Sequence, residues 1–120
     1  MIAPVRGGST FSALQAARLR ARRGCVTVRL VPGPAVDGVR VAYGVGRQVG
    51  GAVDRNRVRR RLRAIVHHVG ATLTPGAYLI GAGRQALSLP SRELESLVST
   101  ALHEVTASVT KAGVTGPSPR

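Results

Sequence analysis

The segment from Val53 to Val69 constrains the fold of this chain more than any other, because it writes two unlike surfaces onto one helix. Val58, Leu62, Ile65, Val66 and Val69 recur at i, i+4, i+7, i+8 and i+11, a continuous apolar stripe at helical spacing. Arg55, Arg59 and Arg63, four apart, draw a second stripe, which Arg57, Arg60 and Arg61 widen. One side has to be covered by other parts of the chain. The other is an array of guanidinium groups, and each planar fork can grip a phosphate through two charge-assisted hydrogen bonds.

The whole chain shares that bias. Eighteen Lys and Arg stand against five Asp and Glu, a formal net charge of +13, and Lys111 is the sole lysine. Such a charge repels itself on a small domain, and a polyanion that sheds counterions on binding relieves it. A membrane is a poorer partner, since no helix pairs its basic face with large exposed aromatics or a run of Leu. Hydrophobic residues make up 43% of the 120, which excludes a disordered basic tail and allows one domain with a real core. Phe11, Tyr43 and Tyr78 are the only aromatics, so that core is built from Val, Leu, Ile and Ala. Cys25 is alone and reads as a small buried hydrophobe. With neither an apolar signal core nor a run long enough to span a bilayer, the expectation is a cytoplasmic protein.

Along the chain, residues 1–8 read as a flexible lead, 9–111 as a single domain and 112–120 as a disordered tail. Ser9 or Thr10 caps a first helix running from Phe11 to about Arg22, with Phe11 and Leu14 inward and Arg18, Arg20, Arg22 and Arg23 at its C-terminal end. Gly24 stops it. Cys25 to Val31 and Val39 to Val45 read as strands, paired as antiparallel neighbours because the Pro-Gly link between them is too short for a crossover helix. Gly46 to Gly51 is a glycine-rich bend with room for a very short strand. The arginine helix spans about Ala52 to His68. A third strand covers Ala77 to Ala82, and a final amphipathic helix starts near Ser91. The order α-β-β-(short β)-α-β-α implies an α+β fold, helices packed on a small sheet as an α/β sandwich.

Protein-borne catalysis finds little support. Asp37, Asp54, Glu93, Glu95 and Glu104 are the only carboxylates, and none pairs at a spacing suited to acid–base work or to holding magnesium. His67 and His68 are adjacent on a helix, so their side chains diverge by about a hundred degrees and cannot share one metal. His103 lies on another helix. No metal ligand and no cofactor held by the protein alone is expected. The glycine bend lacks the third glycine of a dinucleotide fingerprint, Val49 standing in its place, and has no Lys-Ser/Thr pair. Its small residues instead let the backbone approach RNA, with Arg47 touching phosphate.

From Val39 through Gly50, Ala52, Val53, Arg55, Asn56, Arg57, Val58, Arg59, Arg60 and Arg63 the chain closely resembles the signature of the bacterial ribonuclease P protein subunit: a strand, a small-and-basic bend, then a "G-x-A-V-x-R-N-R-hydrophobic-basic-R" helix. More loosely the likeness covers residues 9–107. It implies an α/β sandwich of ribosomal-protein type with a left-handed βαβ crossover through the arginine helix, against the usual right-handed preference. It also implies a partnership with a large catalytic RNA, the two together acting as an endoribonuclease, a hydrolase that removes the 5′ leader of precursor tRNA. In that partnership the RNA carries magnesium and performs the cleavage. By position, Arg55, Asn56, Arg57, Arg60 and Arg63, with Arg47 and Arg59 beside them, would face the RNA. Phe11, Leu14, Arg18 and Val28 would line a cleft for the leader, Phe11 as a stacking surface. Departures from the family pattern are Gln15 where a second aromatic commonly follows Phe11, Val28 where the first strand often has an aromatic, Gly46-Arg47-Gln48 in place of a Ser-Lys-Lys-like bend, and an arginine displaced to Arg84.

Two other readings compete. One is a ribosome-associated or generic RNA-binding protein without a catalytic partner. The other is a protein-only nuclease, which the poverty of carboxylates disfavours. Asn56 between two arginines, behind a glycine bend, favours the ribonuclease P reading.

Overall fold

Gly76 to Ala82 is apolar on both of its faces, the pattern of a strand with neighbours on each side and cover above and below. It forms β5, the centre of a five-stranded sheet in the order β1-β4-β5-β3-β2. The computed structural model describes residues 2–5, 8–34, 38–69 and 73–111; the tail expected to be disordered, 112–120, lies outside them. The strands are β1 (Ile2–Pro4), β2 (Leu19–Arg23), β3 (Val26–Pro32), β4 (Val39–Gly44) and β5. The helices are α1 (Gly8–Gln15), α2 (Ala52–Val69) and α3 (Ser91–Lys111). Short 3-10 turns at Arg47–Val49 and Arg84–Leu87 precede α2 and α3.

The α+β class, the arginine helix, the last helix and three of the strands match the expectations from sequence. Three assignments change. First, Leu19 to Arg23 is a strand, and α1 ends at Gln15. Arg, Leu and Ala favour helix in isolation, but pairing with β3 overrides that preference. Gly24, at φ 56°, supplies the positive φ that a two-residue hairpin turn needs, and Arg23 then sits opposite Val26. Second, β3 and β4 are not neighbours. β5 lies between them, antiparallel to β3 and parallel to β4, so β4-α2-β5 is a βαβ unit. Third, residues 2–4 of the expected flexible lead form the edge strand β1, parallel to β4.

Strand parity then sorts the residues into layers. Val26, Val28, Leu30, Val41, Tyr78 and Ile80 point to one side, where Val58, Leu62, Ile65 and Val66 of α2 and Leu94, Val98, Leu102 and Val105 of α3 complete the core. Helix α1 packs on the opposite side, against β3 and β5. Its Leu14 is fully buried yet stands apart from the main core cluster, and Arg29 donates a hydrogen bond to the Gln15 carbonyl oxygen at its end. No helix among the described residues is long and apolar enough to cross a membrane.

Candidate nucleic-acid interface

The apolar stripe of α2 fixes the direction in which every other residue of the helix points. Val58, Leu62, Ile65 and Val66 are buried, which turns Asn56, Arg57, Arg60, Arg63 and His67 to solvent. Arg55, Arg59 and Arg61 fall on the flanks and are half-buried. The bend before the helix is pinned by Val45 and Val49, both buried, and leaves Arg47 exposed. Gly50 adopts φ 145°, and a Cβ there would stand 2.5 Å from the Asp54 carboxylate, so the turn into α2 requires glycine. Asp54 lies in the first turn of the helix, where a negative charge complements the helix dipole.

The arginines do different work. Arg61 reaches across to donate to the carbonyl oxygens of Ala86 and Leu89, tying α2 to the turn before α3. It is a structural arginine. Arg59 donates to Asn56 Oδ1 at 2.9 Å, which holds the amide and leaves the Asn56 NH2 as the group offered outward. Arg55 keeps its Nε buried with no protein partner among the described residues. Arg63 lies over the Tyr43 ring, 5.6 Å from its centroid. Arg47, Arg57 and Arg60 make no side-chain hydrogen bond or ion pair among the described residues. The ion pairs there are Arg23 with Glu104 and His68 with Glu95 at 3.3 Å, both anchored on α3. The outer face of α2 is therefore uncompensated positive charge, held rigidly by a buried opposite side.

The two described tyrosines differ. Tyr78 is fully buried, its hydroxyl donates to the Thr74 carbonyl at 2.6 Å, and burial pushes its pKa up to about 12. Tyr43 is half-buried beneath Arg63; burial raises its pKa, with the guanidinium acting against that shift.

The leader cleft changes more than the helix. Val28 is fully buried on the core side of β3, opposite Ile80, so it faces away from α1 and cannot line a cleft there. Leu14 is also fully buried; it seats α1 on the sheet and offers no open surface. Arg18 is exposed in the turn after α1. Phe11 lies in α1, and its side chain falls outside the described residues. The polar strand positions that face the α1 side are Arg20 and Arg22 of β2, Thr27 and Arg29 of β3, and Arg40 of β4. Arg20 stands directly across from Arg29, a like-charged pair that an anion would relieve. The alternation Val26-Thr27-Val28-Arg29-Leu30 carried this information; reading 19–23 as helix hid the rest. Among the described residues no three His, Cys, Asp or Glu side chains gather as a metal set.

A family model described as Ribonuclease P matches residues 3–106. Curated proteins named "Ribonuclease P protein component" are similar over shorter stretches. That of Beutenbergia cavernae is 51% identical over 41 residues, 34% of this chain and 34% of that protein. That of Brucella suis is 43% identical over 65 residues, covering 52% and 46%, and that of Symbiobacterium thermophilum 42% over 60 residues, covering 49% and 52%. These matches thus span between a third and about half of the relatives' lengths. In fold, the chain resembles the Staphylococcus aureus RNase P protein (TM-score 0.72, 15% identity, covering 83% of this chain and 92% of that one). It is equally close to the RNase P protein from Thermotoga maritima (TM-score 0.71, 16% identity, covering 82% and 94%).

Proposed function

The chain belongs to the ribonuclease P protein family, and from that premise we propose that it binds the catalytic RNA of ribonuclease P and assists endonucleolytic 5′ maturation of tRNA. The observation that carries this reading is the outer face of α2. Asn56, Arg57, Arg60 and Arg63 point to solvent from a helix whose opposite side is locked in the core, with no carboxylate among the described residues set against them. Rigid guanidinium groups lose little freedom when phosphates arrive, and each phosphate contact releases counterions. Arg47 and Arg55 extend the surface toward the glycine bend, where the backbone can approach the RNA closely. Asn56 adds a directional hydrogen bond rather than charge.

Precursor tRNA would enter on the other side of the sheet. There the 5′ leader would lie against Arg18, Arg20, Arg22 and Arg29, with α1 as one wall and Phe11 as part of that helix. The hydrolytic step and its magnesium belong to the RNA partner; the residues of this chain bind and orient. This is a cytoplasmic task.

Reconstitution tests the proposal. Precursor tRNA should be cleaved at low magnesium only when the protein and a bacterial ribonuclease P RNA are both present. An RNA left unstimulated by the protein, or cleavage by the protein alone, would refute it.

A further inference from the structure

Strand β1 widens the sheet at the β4 edge, and there the inner face is not fully roofed. Ile2 and Pro4 of β1 lie on the parity that faces the helices, opposite Val39 and Val41, yet they remain partly or wholly open. Between them and the outer flank of α2 is a cleft of about 370 Å³, walled by Ile2, Pro4, Val41 and Tyr43 on one side and by Arg63 and His67 on the other. That volume falls in the range of small-ligand pockets. We infer that this cleft receives one unpaired nucleotide of the bound RNA, with its base against Tyr43 and its phosphate held by Arg63.

The chemistry of the walls selects this occupant. Among the described residues, Arg63 and His67 are the only ionisable groups on the helical wall and no carboxylate lines the cleft, so the ligand is anionic or neutral. A flat aromatic ring beneath a planar guanidinium presents two surfaces on which a base can stack, and single nucleotides splayed from an RNA strand bind in this manner. Arg63 is exposed, so it can lift from the Tyr43 ring to admit a base between them. The Tyr43 hydroxyl makes no hydrogen bond among the described residues, unlike that of Tyr78, which leaves it to pair with a base edge. Continuity settles the source. Arg60, Arg63 and His67 follow one another at i, i+3 and i+7 along α2 and run from the proposed RNA-docking face into the mouth of the cleft. A strand tracking those arginines arrives at the cleft with a phosphate in hand.

The inference rests on the RNA-binding reading, and its test separates the two. Affinity for a bacterial ribonuclease P RNA is measured across a salt series for the intact protein, Tyr43→Leu and Arg57→Ala. Tyr43→Leu keeps apolar volume and loses the stacking surface. It should bind about tenfold more weakly, the scale of one lost base stack, with an unchanged salt slope and an unchanged thermal midpoint. Arg57→Ala should flatten the slope. Tyr43→Leu binding as tightly as the intact protein, while Arg57→Ala weakens, would overturn the cleft and leave RNA binding standing. Failure of the intact protein to bind the RNA would overturn both. Ultraviolet crosslinking of the intact complex does not depend on any variant folding. It should attach a nucleotide to the peptide containing Tyr43; crosslinks confined to other peptides would overturn the inference. So would tight binding of free AMP in the cleft with no effect of Tyr43→Leu on RNA affinity, since that would mark a mononucleotide site.

Discussion

Helices α2 and α3 cover the same side of the sheet and bury the same kind of aliphatic stripe, but their outer sides are opposites. Helix α2 carries six arginines against one aspartate; α3 carries three glutamates against Arg92 and Lys111. Two of the three acids of α3 are used inside the molecule, Glu104 on Arg23 of β2 and Glu95 on His68 of α2, while Glu93 is exposed in its first turn. The exposed arginines of α2 have no such partners among the described residues. Burial is thus uninformative about function here, because both helices satisfy it equally. What separates a scaffold helix from a docking helix is the charge left over once internal partners are satisfied.

The equivalence of the buried sides is the first point at which the comparison can be broken, and it carries the largest effect. Leu62 of α2 and Leu94 of α3 are both fully buried. Leu62→Ala and Leu94→Ala should each lower stability by about 2–5 kcal/mol, read by chemical denaturation. A cost near zero at one of them would show that the two helices do not share the core as described.

Arg61 sharpens the contrast within α2 itself. Arg61→Met removes the bonds to the Ala86 and Leu89 carbonyl oxygens. The expected loss is about 1–3 kcal/mol of stability, with no change in the salt dependence of RNA binding. A flattened slope at unchanged stability would place Arg61 on the RNA instead. The smallest effect belongs to α3. Arg92 is exposed at its first turn, and Arg92→Ala should leave RNA affinity, slope and stability (within about 0.5 kcal/mol) where they were. A slope change there would extend the docking face onto α3 and erase the distinction.

Much of this was legible in sequence, and the exceptions share a cause. The arginine helix was readable because its apolar period, its single-signed charge and the order Gly50 to Arg63 all agree. The last helix was readable for the first of those reasons. Leu19 to Arg23 was not, because its residues favour helix and only the pairing partner across Gly24 makes them a strand. That one error removed Arg20 and Arg22 from the sheet and, with them, two of the cations that face α1. Val28 falls on the side of Val26 and Leu30 by the alternation along β3, so strand parity by itself keeps it off the α1 face. Neighbour order in the sheet was the least legible. Placing β5 between β3 and β4 depends on the α2 crossover, which no local signal encodes, although the two-sided apolar character of Gly76 to Ala82 marked a central strand. The cleft beside Tyr43 was invisible for the same reason, since it exists only where β1 meets α2.

The claim on which the account turns is that the outer face of α2 meets phosphate. The direct test is the slope of log affinity against log salt for a ribonuclease P RNA, compared between the intact protein and the triple variant Arg57→Ala, Arg60→Ala, Arg63→Ala. Three lost phosphate contacts should reduce that slope by about three, at roughly 0.9 for each contact. A triple variant that keeps the slope of the intact protein would contradict the claim.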